Sequence, residues 1–152
     1  KVARLATGIG MNVVTWSPET LAAEGKATPL AELERLLRTA DVVSVHARQS
    51  EATGKLLGPR QFAFMKPGSL FIHTERAGLV DETALAHALT GQLIGGAALD
   101  VFAQEPLPAD SPLRYLPNVI LSPHAAASAV EVLESSLDAA AAIVLGYFAR
   151  PA

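Results

Sequence analysis

Cysteine is absent from all 152 residues, which removes both a disulfide framework and a thiolate metal site. That composition suits a reducing compartment, and a cytoplasmic setting is the expectation. Charge is also scarce. Only 18% of residues are charged and the net charge is -3, so there is no large electrostatic footprint for nucleic acid. The longest apolar run, residues 139–145, is far shorter than the roughly 20 residues a bilayer span needs, so no membrane partner is expected. The opening Lys1-Val2-Ala3-Arg4-Leu5 lacks the cationic head, apolar run and cleavage site of a secretory leader. It also lacks an initiating Met, and Val2, Leu5, Ala6 and Ile9 sit on a helical spacing. The expectation is a chain that begins inside a helix of something longer.

What is present points to one folded domain. Half the residues are hydrophobic, enough for a sizeable core at this length. Gly8 and Gly10 mark the end of the first helix, and residues 12–16 read as a short buried strand. Thr28-Pro29 opens a helix with an N-cap and a first-turn proline, and Leu30, Leu33, Leu36 and Leu37 form its buried stripe. Strands are expected at 41–46, 69–73, 95–99 and 118–121, and helices at 59–66, after Asp81, and at 127–148. Short apolar strands alternating with helices predict an α/β fold, a parallel sheet covered on both faces.

In such sheets ligands gather at the carboxyl ends of the strands. Four of the five expected strand ends carry ionisable groups: His46, then Glu75 and Arg76, then Asp100 and Glu105, then His124. An arginine grips a carboxylate with two parallel hydrogen bonds. A histidine moves protons near neutrality, and a neighbouring carboxylate raises its pKa and fixes its tautomer. The set suits an anionic substrate and one proton transfer. No metal site is expected. His46, His73 and His87 read as structural, Asp81 as a helix cap, and Trp16 either as a wall of a nucleotide pocket or as a core aromatic.

Three ordered stretches add a resemblance. Phe71-Ile72-His73-Thr74-Glu75-Arg76-Ala77-Gly78-Leu79-Val80-Asp81-Glu82, then Gly96-Ala97-Ala98-Leu99-Asp100-Val101-Phe102-Ala103-Gln104-Glu105-Pro106-Leu107, then Pro117-Asn118-Val119-Ile120-Leu121-Ser122-Pro123-His124 resemble the signatures of the D-isomer-specific 2-hydroxyacid dehydrogenases. The segment Asp41-Val42-Val43-Ser44-Val45-His46, with Thr53-Gly54 and Leu57, is similar to that family too. The resemblance runs over essentially the whole chain. It implies a Rossmann-like nucleotide-binding domain over 1–152, incomplete at its N-terminal end, with the substrate domain absent.

The implied activity is hydride exchange between a nicotinamide cofactor and a small 2-keto or D-2-hydroxy acid. The cofactor expected is NAD, with NADP as the alternative. By resemblance Arg76 binds the substrate carboxylate and carbonyl, His124 moves the proton, and Glu105 holds His124 and keeps it cationic. Asp100 contacts the nicotinamide carboxamide, and Ala47, Thr74, Glu75, Arg76, His124, Ala125 and Ala126 line the rest of the cofactor. A homodimer is implied as well.

The sequence departs from the family in three respects. No G-x-G-x-x-G loop is present, and the Gly8-x-Gly10 pair follows a helix instead of opening one; on this ground turnover by the chain alone is not expected. Ser17 stands where many members carry the acidic residue that bonds the ribose. His73, Glu75, Ala77 and Arg48 replace an Asn, a small residue, a Gly and a Pro, with the Glu75 carboxylate opposing cofactor phosphates and Arg48 offsetting it. The competing expectations are a nucleotide-sensing, corepressor-like module without turnover and a degenerate paralogue that binds no cofactor.

Overall fold

A computed structural model describes residues 1–17, 30–50 and 54–148. Four parallel strands form one sheet in the order β1-β2-β3-β4: β1 Val42–Val45, β2 Leu70–His73, β3 Gly96–Leu99 and β4 Val119–Leu121. Each strand is shorter than expected from the sequence by a residue or two at its ends. The strands lie in order of sequence, as successive crossovers dictate.

Register decides which face is buried. Val43, Phe71 and Ala97 are aligned across the sheet, as are Val45, His73 and Leu99, and all six are buried. Three helices supply the core on that face: α2 (Leu30–Thr39), α3 (Pro59–Phe64) and α4 (Glu82–Thr90). They contribute Leu33 and Leu37, Phe62, and Leu85 and Leu89 respectively. Phe62 meets Phe71 edge to face, with ring centroids 5.4 Å apart. The alternate row is open by comparison, with Leu70 48% and Ile120 73% exposed.

The expected caps hold. Asp81 accepts the Ala84 amide at 3.0 Å to start α4, and Gly91 ends it. Pro59 opens α3, and the Gln61 side chain accepts the Gly58 amide at 3.1 Å. The first helix, α1, spans Val2–Gly8, and the last, α5, spans Val130–Phe148; the described side chains of both are almost wholly exposed. The expected Thr28 cap lies outside the described residues.

One expectation fails: residues 12–16 are not a strand and join no ladder. A strand exists only where a neighbouring backbone completes its ladder, and no described strand pairs with these residues, so their apolar character alone does not make one. Trp16 nonetheless packs against the core cluster.

Candidate active site

The carboxyl ends of β2, β3 and β4 lie side by side, and each opens into a loop carrying one group of the expected set. After β2 the chain passes exposed Thr74 and half-buried Glu75 to Arg76. Arg76 has extended backbone and starts a 3-10 turn over Ala77–Leu79, its carbonyl accepting the Leu79 amide at 3.0 Å. That turn is clamped from below. The Leu57 amide donates to the Leu79 carbonyl at 3.0 Å, and the Asp81 amide donates to the Leu57 carbonyl at 2.8 Å. The Arg76 side chain, exposed on this fixed turn, is presented to solvent at the sheet edge.

After β3, Asp100 is only 3% exposed. Its Oδ1 accepts the Ser122 hydroxyl at 2.6 Å and the Ala125 amide at 2.8 Å, while Oδ2 accepts the Ala126 amide at 2.9 Å. Burial pushes its pKa up, but those three donors and the nearby His124 outweigh it and hold the carboxyl below its ordinary value. Asp100 thus ties the end of β3 to the loop after β4. Between the tied residues His124 takes a positive φ of 52°, a conformation that favours glycine and that surrounding contacts must enforce.

Glu105 completes the arrangement. Its Oε2 lies 2.8 Å from His124 Nδ1, and its Oε1 accepts the Phe102 amide at 3.1 Å. The His124 bond and the Phe102 amide together lower the Glu105 pKa. The pair is half exposed, at 45% for His124 and 39% for Glu105, so it meets solvent on one side. With Nδ1 turned to Glu105, Nε2 is the nitrogen left for a substrate. A groove of about 460 Å³ runs beside the pair, lined by Phe102, Glu105, Leu107, Arg114, Ser122 and His124. That is the size of a small-ligand site.

The structure therefore gathers Asp100, Glu105, His124 and Ala126 into one bonded cluster. It sets Arg76 on the same edge at the end of β2, one strand from Asp100 and two from His124. Ala47 is half-buried just past β1, and Ser17 is half-buried in the irregular segment after α1. His46, read as structural from the sequence, is exposed and bonds Ser44 Oγ at 2.9 Å. Among the described residues no three or more His, Asp or Glu side chains are grouped as a metal site, and no helix is long and apolar enough to cross a membrane.

Sequence reasoning missed three contributors. Ser122 holds Asp100, and its place two residues before His124 was a usable signal. Arg114 binds the carbonyls of Pro108 and Leu107 and so shapes the groove wall. Glu82 accepts the Ala103 amide at 2.8 Å, fixing the loop that carries Glu105. Nothing in the sequence pattern announces the last two contacts.

A family profile described as "D-isomer specific 2-hydroxyacid dehydrogenase, NAD binding domain" matches residues 1–126. The (S)-sulfolactate dehydrogenase of Chromohalobacter salexigens is 44% identical over 128 residues, covering 82% of this chain and 41% of that protein. The D-lactate dehydrogenase of Lactobacillus jensenii, solved with NAD+, superposes with a TM-score of 0.72 at 32% identity, over 95% of this chain and 49% of that one. An acyclic imino acid reductase, Bsp5, solved with NADPH and D-Arg, gives a TM-score of 0.84 at 28% identity, over 97% of this chain and 47% of that one. The chain spans less than half the length of each.

Proposed function

The chain belongs to the D-isomer-specific 2-hydroxyacid dehydrogenases, as their NAD-binding domain, and from that premise we propose that it serves, within a longer protein, to reduce small 2-keto acids to D-2-hydroxy acids and to catalyse the reverse. The observation that carries this reading is the His124–Glu105 pair at 2.8 Å, half open to solvent beside a groove of ligand size.

The residues fit the nicotinamide end of a dinucleotide. Exposed Ala125 and Ala126 carry no bulk beyond Cβ beside His124, and Thr74 stands exposed at the end of β2 on the same edge of the sheet. The pyrophosphate cradle has no counterpart in this sequence, since Gly8 and Gly10 close a helix. When bound, the nicotinamide supplies or accepts the hydride. The protein's own part is orientation and the proton. Arg76 holds the substrate carboxylate, a charge-assisted contact that fixes the reacting carbonyl. His124 gives the Nε2 proton to the carbonyl oxygen as it becomes a hydroxyl, and Nε2 recovers that proton in the reverse direction. Glu105 keeps the opposite ring nitrogen engaged, so the ring faces the substrate with one defined edge.

NAD is the expected cofactor, since Ser17-Pro18-Glu19-Thr20 offers no cation for a 2′-phosphate. A homodimer belongs to the same proposal, supported by apolar side chains exposed along α5, among them Leu137, Ile143 and Leu145. The test is NADH and NADPH oxidation by the full-length protein with glyoxylate, hydroxypyruvate, pyruvate and phenylpyruvate, and with Arg76→Ala as control. Turnover lost in the control supports the reading. No turnover with either cofactor moves it to a nucleotide-binding module without catalysis.

A further inference from the structure

His73 is the most deeply buried ionisable side chain described, at 2% exposure, and its ring nitrogens have no well-aligned hydrogen-bond partner among the described residues, only a weak approach to the Arg76 backbone. Buried polar atoms in native proteins are paired with protein or with ordered water, and an orphan bears the full cost of its desolvation. The ring stacks obliquely on Phe71, with centroids 6.2 Å apart, and so is fixed in place at the end of β2. Directly beside it is a small pocket of about 10 Å³, partly open to solvent and lined by His73, Glu82 and the aliphatic Ala77, Val80, Leu85, Leu99 and Val101. That volume is about one water-sized sphere, and a buried water needs two or more polar partners.

We propose that this cavity is a site for one ordered water that bridges the His73 ring to the Glu82 carboxylate, and that His73 is a positioning residue for Arg76. His73 and Glu82 both line the cavity and the other lining residues are aliphatic, so the water has one acid and one imidazole to satisfy. Glu82 already gives Oε2 to the Ala103 amide at 2.8 Å, which leaves Oε1 for the water. The thread then runs from the end of β2, three residues before Arg76, through the water to Glu82 and on to the loop that carries Glu105. It joins the anion-binding half of the site to the proton-transferring half from underneath. Burial lowers the His73 pKa, against a smaller opposing effect of the Arg76 backbone, so the ring enters this bridge neutral.

The consequence for turnover rests on the dehydrogenase reading; the water site does not. In the full-length protein, ¹⁵N-imidazole NMR with water–protein NOEs reads the site directly. The expected result is a neutral His73 in one tautomer whose ring proton shows an NOE to a long-lived water, lost in Ala77→Val, which fills the cavity. In kinetics, His73→Phe keeps the ring volume without its nitrogens and raises the keto-acid KM roughly three- to tenfold, the scale of one neutral hydrogen bond, with kcat within about twofold. His73→Asn, which can still bond the water, returns KM towards wild type. Absence of the water signal overturns the site. A lower Tm in His73→Phe with KM unmoved overturns the positioning role. A water signal in a protein that turns over no 2-keto acid leaves the site standing and overturns the dehydrogenase reading instead.

Discussion

Asp100 accepts the Ser122 hydroxyl at 2.6 Å, and through the same carboxylate it also binds the amides of Ala125 and Ala126. A residue at the end of one strand thus holds the loop after the next, with His124 between its anchor points at a φ of 52°. Asp100→Asn turns one acceptor oxygen into a donor facing N–H groups. The expected outcome is a loss of about 1–3 kcal/mol in urea unfolding, the cost of buried donors left unpaired. In the full-length protein, under the proposed function, kcat should fall roughly ten- to a hundredfold, because His124 is no longer held. Wild-type kcat in this variant would show that the loop needs no such anchor.

Arg76→Lys should not rescue Arg76→Ala. A guanidinium presents a planar fork to a carboxylate, whereas an ammonium is a point charge. On the extended backbone and clamped turn that present Arg76, either substitution should cut kcat/KM about a hundredfold. A lysine variant within threefold of wild type would remove the bidentate role.

Acid should destabilise the fold in two steps. His73 has a lowered pKa from burial. Protons therefore bind the unfolded chain more readily, and stability is lost as pH falls from about 6.5, the unfolded histidine value. The carboxyls of Glu105, Asp100 and Asp81 are lowered as well. Their contribution is fully present above the unfolded carboxylate range of about 4 and is lost below it, as pH falls through the folded values. Denaturation midpoints measured from pH 8 to pH 3 should show both declines. His73→Phe should remove the first and leave the second.

Two glycines should respond differently to alanine. A Cβ at Gly95 would lie 2.5 Å from the Gly68 carbonyl oxygen, which is backbone and cannot step aside. A Cβ at Gly78 would meet the amide of Gln49, the far end of a flexible side chain. Gly95→Ala should cost about 1–3 kcal/mol as overpacking does, and Gly78→Ala within about 0.5 kcal/mol as a surface change does. Chemical denaturation of both variants checks the difference.

Much of this was legible in advance. Period, capping and proline placed α3, α4 and the four sheet strands to within a few residues, because those signals are local: Asp81 caps its helix with its own side chain, and Pro59 sets its own φ. The segment 12–16 looked like a strand by the same local rules and is not one, since a strand needs a partner and its sequence says nothing of the neighbour. The resemblance pairs Glu105 with His124, but the 2.8 Å contact between them belongs to the loops.

The sequence by itself determined the fold class, the family and the identities of Arg76, Glu105 and His124, because apolar period and ordered motifs are written along the chain. Tertiary structure alone decided which face of the sheet is buried and that Asp100 spends its carboxylate on the His124 loop. It also decided that His73 lies beside Glu82 across a water-sized cavity. Those facts depend on register and on contacts between residues far apart in sequence, and the sum of burial and hydrogen bonding that selects them exists only once the strands are side by side.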